Sequence, residues 1–328
     1  MSHPFTRRDL GKLALAAVPA SLLAKTNSKF GGVQIGINVP YSFHSQHSMS
    51  AEEVLDDVVK LNLSSVELRA QPIEHFMGAP ANLVAYPAQR QGGRKGSPDP
   101  SGAPPPDPAA AKKAAAEDLR KWRLAASLDK VKELRKKYED AGVLIQIVKV
   151  DAIDTFTDEE IDYMFGLART AGARAISCEI PLSHTKRLGE FGEKHKMMIG
   201  YHGHTNVTSP EAFGRPESWE TAMSYSKYNG INLDIGHFIA GNSTSPIPFL
   251  QKYHDRVTHI HVKDRKLNNG PNTVWGQGDT PIKETLKLMQ KEKWSFPGIV
   301  EFEYTVPEGS DQMTEIAKCV AFCKNALA

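Results

Sequence analysis

Short apolar runs of strand length alternate along this chain with amphipathic stretches that repeat their apolar residues with a helical period. The predicted strands are Val33–Val39, Ser65–Arg69, Val143–Val150, Ala173–Glu179, Lys196–His202, Gly230–Ile235, Val257–Lys263 and Gly298–Tyr304. The predicted helices are Ala51–Leu61, Ala109–Ala141, Asp158–Ala171, Thr185–His195, Glu217–Lys227, Ile247–His254, Ile282–Lys291 and Asp311–Ala328.

Eight alternations of strand and helix predict an α/β fold with a parallel sheet, closed into a single (β/α)8 TIM barrel over residues 30–328. An open, doubly wound sheet is the alternative, but it usually places a glycine-rich phosphate turn after an early strand. Here Gly31 and Gly32 precede the first strand, and no G-x-G-x-x-G follows it. We therefore prefer the barrel and expect its site at the carboxyl ends of the strands.

Local signals support several of the predicted helix boundaries. Ser50 and Thr157 each precede a predicted helix and are followed three residues later by glutamate, which is the pattern of a capping box. Gly142 and Gly172 follow two of the helices and are typical of carboxy-terminal caps.

Two segments do not fit the barrel pattern. Arg7 and Arg8 precede a short apolar run with small residues, which is typical of a twin-arginine secretory signal, so residues 1–29 are assigned to a signal peptide and linker. The run is too short to span a bilayer, which predicts a bacterial periplasmic or exported protein without stable membrane insertion, delivered by the Tat export machinery. Residues 87–108, after the second strand, are rich in Pro and Gly and are expected to be a disordered insertion, either passive or a lid.

Composition narrows the class of partner. The 328 residues carry a formal net charge of +2, so nothing points to nucleic acid as a partner. The three cysteines, Cys178, Cys319 and Cys323, are too few for a disulfide scaffold and are interpreted as buried thiols. The oligomeric state does not follow from the sequence.

The candidate chemistry lies where five of the predicted strands end. These ends carry the polar residues Glu179, His202, His204, Asp234, His237, His259, His261, Lys263, Glu301 and Glu303. Charged groups inside a barrel are costly unless a cation gathers them, because crowded carboxylates repel one another. Mixed carboxylate and imidazole ligands predict one divalent metal, with Mn²⁺ preferred over Co²⁺, Mg²⁺, Fe²⁺ or Zn²⁺.

Four motifs extend this interpretation to a family. Leu233–His237, His261–Asp264, Val274–Thr280 and Val300–Glu303 resemble the xylose isomerase-like TIM barrel superfamily, the sugar phosphate isomerase/epimerase family. The amino terminus resembles an exported subgroup of it that has a twin-arginine signal. The superfamily includes sugar-phosphate isomerases and epimerases, inosose isomerases and dehydratases, and more distant AP endonucleases.

The resemblance implies a metal held by Glu, Asp, His and Glu from strands five to eight. Asp234, His261 and Glu301 match the last three of these ligands. His202 stands where the epimerases have a glutamate, and Glu179 at the end of the fourth strand is predicted to supply the missing carboxylate. Whether Glu179 or His202 completes the set of metal ligands stays open at this point.

The same residues are also predicted to have catalytic roles. Glu301 is predicted to be both ligand and base, with Glu179 or His202 returning the proton. His237 is a candidate for a substrate contact, and Lys263 for holding a substrate oxygen or pairing with Asp264. The residues predicted to bind substrate are His204, His259, Trp275 and Glu303.

Three functions fit these residues. The first is a metal-dependent sugar isomerase or epimerase acting through an enediolate. The second is a metal-dependent lyase, either a dehydratase or a 3-keto-glycoside eliminase, on a sugar or inositol derivative. The third is a non-catalytic carbohydrate-binding barrel, since a fold alone does not establish activity. In each case the partner is a small carbohydrate.

Overall fold

Eight parallel strands form a closed ring in this computed structural model, which describes residues 25–86 and 108–328. The strands are β1 (Val33–Val39), β2 (Ser65–Arg69), β3 (Leu144–Lys149), β4 (Ala175–Cys178), β5 (Met198–His202), β6 (Asn229–Asp234), β7 (Val257–Val262) and β8 (Gly298–Val300). Each pairs in parallel with its neighbours, and β8 pairs with β1 to close the ring. The prediction of a single (β/α)8 barrel is confirmed.

Helices surround this ring in the described ranges. They are α1 (Ala51–Lys60), α2 (Ala70–Met77), α3 (Ala81–Val84), α4 (Pro108–Ala125), α5 (Asp129–Asp140), α6 (Asp158–Thr170), α7 (Thr185–His195), α8 (Pro216–Tyr225), α9 (Ile235–Asn242), α10 (Ile247–Tyr253), α11 (Ile282–Glu292) and α12 (Gln312–Ala326). Short 3₁₀ turns occupy Tyr41–Phe43, Ile153–Thr155, Leu182–His184 and His254–Arg256.

Two elements differ from the predicted pattern. The long helix expected over 109–141 is broken between α4 and α5, where the Ser127 hydroxyl accepts a hydrogen bond from the Asp129 backbone at 3.2 Å, a local contact that competes with continuous helix. The residues after β6 form α9, a helix that the sequence pattern did not predict. Asp234 caps α9, with its Oδ1 accepting from the His237 backbone at 2.6 Å.

The amino-terminal side of the barrel is closed by residues that precede the first strand. The short strand Lys29–Phe30 pairs antiparallel with β1, and Thr26 donates its hydroxyl to the Ala141 carbonyl. Ser28 is fully buried and bonds to Ser64. Among the described residues, therefore, the segment from Thr26 to Phe30 already packs against the barrel. The predicted twin-arginine signal lies outside the described residues, as does the predicted insertion up to residue 107.

The core is a continuous layer of apolar side chains between the strands and the helices. Cys178, Cys319 and Cys323 belong to it as free, buried thiols, which confirms their predicted role. In the described ranges no helix combines the length and the apolar character that crossing a bilayer requires.

The predicted capping boxes are present. Ser50 accepts from the Glu53 backbone while the Glu53 carboxylate accepts from the Ser50 backbone, and Thr157 does the same before α6. Gly142 and Gly172 adopt φ angles of +83° and +86°, as their predicted capping role requires.

Loss of the Ser50 cap should destabilise the amino-terminal end of α1. We expect Ser50→Ala to lower the free energy of unfolding by about 1 kcal/mol, because one backbone N–H loses its acceptor. Urea denaturation measures this loss. Ser224→Ala is the control, since that hydroxyl bonds only to the Thr221 carbonyl within α8. Equal losses in both variants would contradict the capping role.

Candidate metal centre

Strand register brings the predicted ligands to one level of the barrel. Asp234 at the end of β6 pairs with His261 on β7, and His202 at the end of β5 pairs with Asn232 on β6. Glu301 follows directly after β8, where Val300 pairs with Val262. All of these positions face the carboxyl-terminal end of the barrel, where TIM barrels hold their active sites.

Four of these side chains form one buried group. His202, Asp234, His261 and Glu301 each offer a ligand atom, and these atoms lie within 4.8 Å of one another. His261 Nδ1 is 3.2 Å from Glu301 Oε1 and 4.0 Å from Asp234 Oδ2. We call these four residues the metal cluster.

The buried atoms of the metal cluster suit a cation. His202 Nδ1 and His261 Nδ1 are buried without a hydrogen bond, and the buried oxygens Asp234 Oδ2 and Glu301 Oε2 have the Lys263 ammonium nearby. Buried carboxylates and imidazoles that converge in this way form a set that a positive ion would stabilise. Two imidazoles and two carboxylates are a donor set that suits Zn²⁺, Mn²⁺, Fe²⁺ or Co²⁺.

Without a metal, protons balance part of the charge of the cluster. Burial, together with the charge of Glu301, raises the pKa of Asp234 to about 7. Burial opposes the charged form of His261, but the negative charges of Glu301 and Glu67 outweigh it and raise its pKa to about 10. Burial, aided by Lys149 and His261, lowers the pKa of His202 well below its usual range, which leaves a neutral imidazole able to donate its lone pair. A metal binding here would displace protons from the cluster.

Lys263 is the resident cation beside the metal cluster. Its Nζ lies 3.0 Å from Asp234 Oδ2, 2.6 Å from Glu301 Oε2 and 2.5 Å from Glu303 Oε2. The alternative pairing with Asp264 is not formed, because Lys263 points into the barrel while Asp264 points away. The charge of Lys263 partly offsets the carboxylates and orients Glu303.

Glu179 lies outside the metal cluster. Lys149, itself buried, donates to Glu179 Oε1 at 2.5 Å, and His204 contacts Oε2 at 3.1 Å. Its separation from His202 Nε2 is 4.0 Å. The structure therefore places His202, rather than the predicted Glu179, beside Asp234, His261 and Glu301. Lys149 holds the pKa of Glu179 well below its usual range against desolvation, so it stays an anion.

A second layer of residues, which the sequence analysis did not predict, lies beneath the metal cluster and contacts its ligands. Glu67 on β2 is fully buried, 2.5 Å from His261 Nε2 and 3.4 Å from His259 Nε2. Because Nε2 faces Glu67, His261 presents Nδ1 to the cluster. Asn38 on β1 donates to Glu301 Oε1 at 2.8 Å. A glutamate between Val66 and Leu68, in the middle of a predicted strand, was the signal that could have revealed Glu67.

Two residues predicted to bind substrate do not reach the mouth of the barrel. His259 is fully buried between Thr258 and Glu67, one level below the metal cluster. Trp275 packs edge-to-face against Phe322 of α12. Both belong to the frame of the barrel, because β7 is buried along its whole length and the Trp275 indole is buried against α12.

The remaining predicted residues do line the mouth. Glu303 accepts from the Tyr41 hydroxyl at 2.5 Å and from Asn272 at 3.1 Å. His237 is buried, with Lys263 Nζ 2.9 Å from its Nε2 and Arg265 2.6 Å from its Nδ1. His204 is about half exposed and points to Glu179.

The structure is thus a closed parallel barrel whose carboxyl end carries a buried carboxylate–imidazole cluster with the residue types that could hold a metal. Comparison with known proteins is more specific. Residues 174–325, somewhat less than half of the chain, match the family described as Xylose isomerase-like TIM barrel. The matched region contains every residue of the metal cluster.

Individual relatives agree with this match. Inosose dehydratase of Clostridium beijerinckii is 29% identical over 125 residues, which cover 37% of this chain and 35% of the relative. The chain thus spans about a third of the length of the curated relatives it matches.

Solved structures share the whole fold. A xylose isomerase domain protein from Alicyclobacillus acidocaldarius superposes with a TM-score of 0.58 at 11% identity, covering 89% of this chain and 99% of its own. The IolI protein, solved with a bound zinc atom, superposes with a TM-score of 0.53 at 13% identity, covering 90% of this chain and 96% of its own. These likenesses establish the fold, a (β/α)8 barrel.

Proposed function

We propose that this protein is a metal-dependent lyase that removes water, or another β-leaving group, from a keto sugar or keto-inositol. The observation that carries the proposal is the asymmetry of the site. One side has the carboxylate Glu301 in the metal cluster, and the other has His204 hydrogen-bonded to the anion Glu179. The clostridial dehydratase relatives support the same reaction class.

A divalent metal bound by His202, Asp234, His261 and Glu301 would supply Lewis-acid stabilisation for the negative charge that develops when a proton next to a carbonyl is removed. The protein's own residues then divide the proton transfers. Glu301 is the base, because it is a carboxylate of the metal cluster whose Oε1 is held in place by the Asn38 amide at 2.8 Å. Lys263, 2.6 Å from that Oε2, keeps Glu301 anionic until it takes the proton.

His204 is the acid that protonates the leaving group. Its hydrogen bond to Glu179 raises the pKa of His204, and Lys149 fixes the other oxygen of Glu179. The His204 ring also lies 4.8 Å from that of His202, whose nitrogen belongs to the metal cluster, so acid and base flank the same space.

The protons and electrons balance across this sequence. Glu301 takes the α-proton, and the C–H electron pair becomes the new C=C bond as the C–O bond breaks. The departing oxygen takes the proton of His204 and leaves as water or as an alcohol. Exchange with solvent then returns a proton to His204 and removes one from Glu301.

This proposal predicts the behaviour of His204→Gln. Protein loaded with Mn²⁺ or Zn²⁺ is incubated with 2-keto-myo-inositol and with a 3-keto-glucoside, and loss of water or of the aglycone is followed by mass spectrometry and NMR. We expect His204→Gln to lower kcat about 100-fold, the usual loss for a general acid.

The matched control is His184→Gln. His184 is 49% exposed and pairs with Asp154 at 2.9 Å, much as the 52% exposed His204 pairs with Glu179. Full activity in both variants would refute the acid role of His204. Failure of the wild-type protein to release water or aglycone from any keto substrate would refute the lyase.

The second candidate is an isomerase or epimerase, favoured by one observation. His202 and Glu301 belong to the same cluster, so a proton removed by one can be returned by the other. Solvent deuterium incorporated next to the carbonyl, with no water or aglycone released, would select this function over the lyase.

A further inference from the structure

We propose that the substrate of this site is an uncharged polyhydroxy ketone rather than a phosphate ester or a carboxylic acid. This inference rests on the proposed metal-dependent function and names its substrate class. It comes from the charges at the mouth of the barrel and from the loop that follows β7.

The strand ends carry balanced charge. The last residue of each barrel strand and the three residues after it include four cations and six carboxylates. The cations are Arg69, Lys149, Lys263 and Arg265, and the carboxylates are Asp151, Glu179, Asp234, Asp264, Glu301 and Glu303. A divalent ion in the metal cluster would bring the sum of these charges to zero. A proton on His204, the proposed acid, would add one positive charge, and Glu179 already contacts that imidazole at 3.1 Å, so little positive charge is left for an anion.

Each of the four cations is already engaged. Arg69 pairs with Asp151, and Lys149 is 2.5 Å from Glu179 Oε1. Lys263 contacts three carboxylates.

The fourth cation is bound in a different way. Arg265 uses its Nε and one terminal nitrogen on the Gly270 carbonyl, at 3.1 and 2.6 Å, and turns the other to His237. At the described strand ends, therefore, no cation is free to bind a phosphate or a substrate carboxylate without breaking an existing contact.

The backbone also offers no phosphate site after β7. TIM barrels frequently bind phosphate with the loops after strands seven and eight. Here the backbone N–H groups of the loop after β7 bind the Asp264 carboxylate of the same chain instead of a phosphate. The Gly276 and Gly278 backbones donate to its Oδ2 at 2.7 and 2.9 Å, and Thr280 donates to its Oδ1 at 3.2 Å.

Glycine at 278 permits this arrangement. A Cβ at Gly278 would lie 2.0 Å from Asp264 Oδ1, so the carboxylate approaches the backbone more closely than any side chain would allow. An internal carboxylate in a cradle of N–H groups excludes an external anion by charge and by space.

Pairs of candidate ligands, one neutral and one charged in each pair, test the inference. Isothermal titration of the full-length, metal-loaded protein would compare D-fructose with D-fructose 6-phosphate, D-ribulose with D-ribulose 5-phosphate, and 2-keto-myo-inositol with 3-dehydroshikimate. We expect at least one neutral member to bind and its charged counterpart to bind at least tenfold more weakly. A charged member that binds as tightly as its neutral partner, or binding by no neutral member, overturns the inference.

Asp264→Asn supplies a second measurement. It removes the negative charge but keeps an acceptor oxygen for the loop, so affinity for D-fructose 6-phosphate should rise at least threefold while that for D-fructose stays unchanged. Asp279→Asn is the control, because that exposed carboxylate in the same loop accepts from Leu267 and Lys266 instead. An equal change in both variants counts against the role of Asp264.

The outcomes separate this inference from the lyase. Neutral ligands that bind but lose neither water nor aglycone would uphold the substrate class and refute the lyase. A phosphate ester that binds tightly and is dehydrated would uphold the lyase and overturn the inferred substrate class.

Discussion

Asp234→Asn should remove metal binding while leaving the barrel folded. The two carboxylate oxygens of Asp234 have separate tasks: Oδ1 caps α9, and Oδ2 faces the metal cluster, with Lys263 Nζ 3.0 Å away. Asparagine keeps an oxygen for the cap, since it is among the preferred capping residues, but loses the anionic ligand. Because removal of an outer partner of a ligand already costs 10–100-fold in affinity, we expect a loss of more than about 100-fold here.

Equilibrium dialysis with metal analysis measures this affinity, and circular dichroism reports the fold. Asp311→Asn is the matched control, because Asp311 caps α12 by the same bond, accepting from the Thr314 backbone at 2.9 Å. An Asp234→Asn protein that keeps its full metal content would overturn the assignment of the cluster. A wild-type protein that binds sugar but no metal would instead favour the non-catalytic carbohydrate-binding barrel.

Glu67→Gln should weaken both the fold and the metal site. Glu67 is completely buried, and the nearby imidazoles of His261 and His259 lower its pKa well below the usual range despite desolvation, so it is an anion in the folded protein. Breaking a buried ion pair costs about 3–5 kcal/mol of unfolding free energy. Losing the carboxylate that orients His261 should also lower metal affinity about 10–100-fold.

Glu74→Gln distinguishes these two effects. Glu74 is equally buried and pairs with Arg123 at 2.7 Å, but it lies on α2, away from the metal cluster. Denaturant unfolding should show a similar loss of stability in both variants, whereas dialysis should show weakened metal binding only for Glu67→Gln. Equal metal affinity in the two variants would mean that Glu67 is merely structural.

Much of this site is readable from sequence because the barrel places strand ends together. Once eight strands are assigned, Asp234, His261 and Glu301 must meet at one end, and the structure brings them within ligand distance. The predicted bounds of β1, β2 and α7 agree with the structure because their apolar patterns end at clear polar or turn residues.

What sequence could not decide depends on side-chain partners far apart in the chain. Glu179 and His202 both end strands, and only the position of Lys149, 30 residues before Glu179, shows which of the two is drawn away from the cluster. Glu67 escaped notice because its two histidine partners lie more than 190 residues further along the chain. The predicted export signal stays a prediction.

Lys263 has a consequence for how the protein matures. Its ammonium group lies within 3.0 Å of Asp234, Glu301 and Glu303, so the acids that would repel one another in a metal-free chain already share a counter-ion. Many metal sites cannot form before their ion arrives, because binding and folding are one event. Here the Lys263 ammonium group already supplies a positive charge among the carboxylates. Folding and metal binding can therefore be separate steps, and the ions available to the folded barrel can determine which metal it binds.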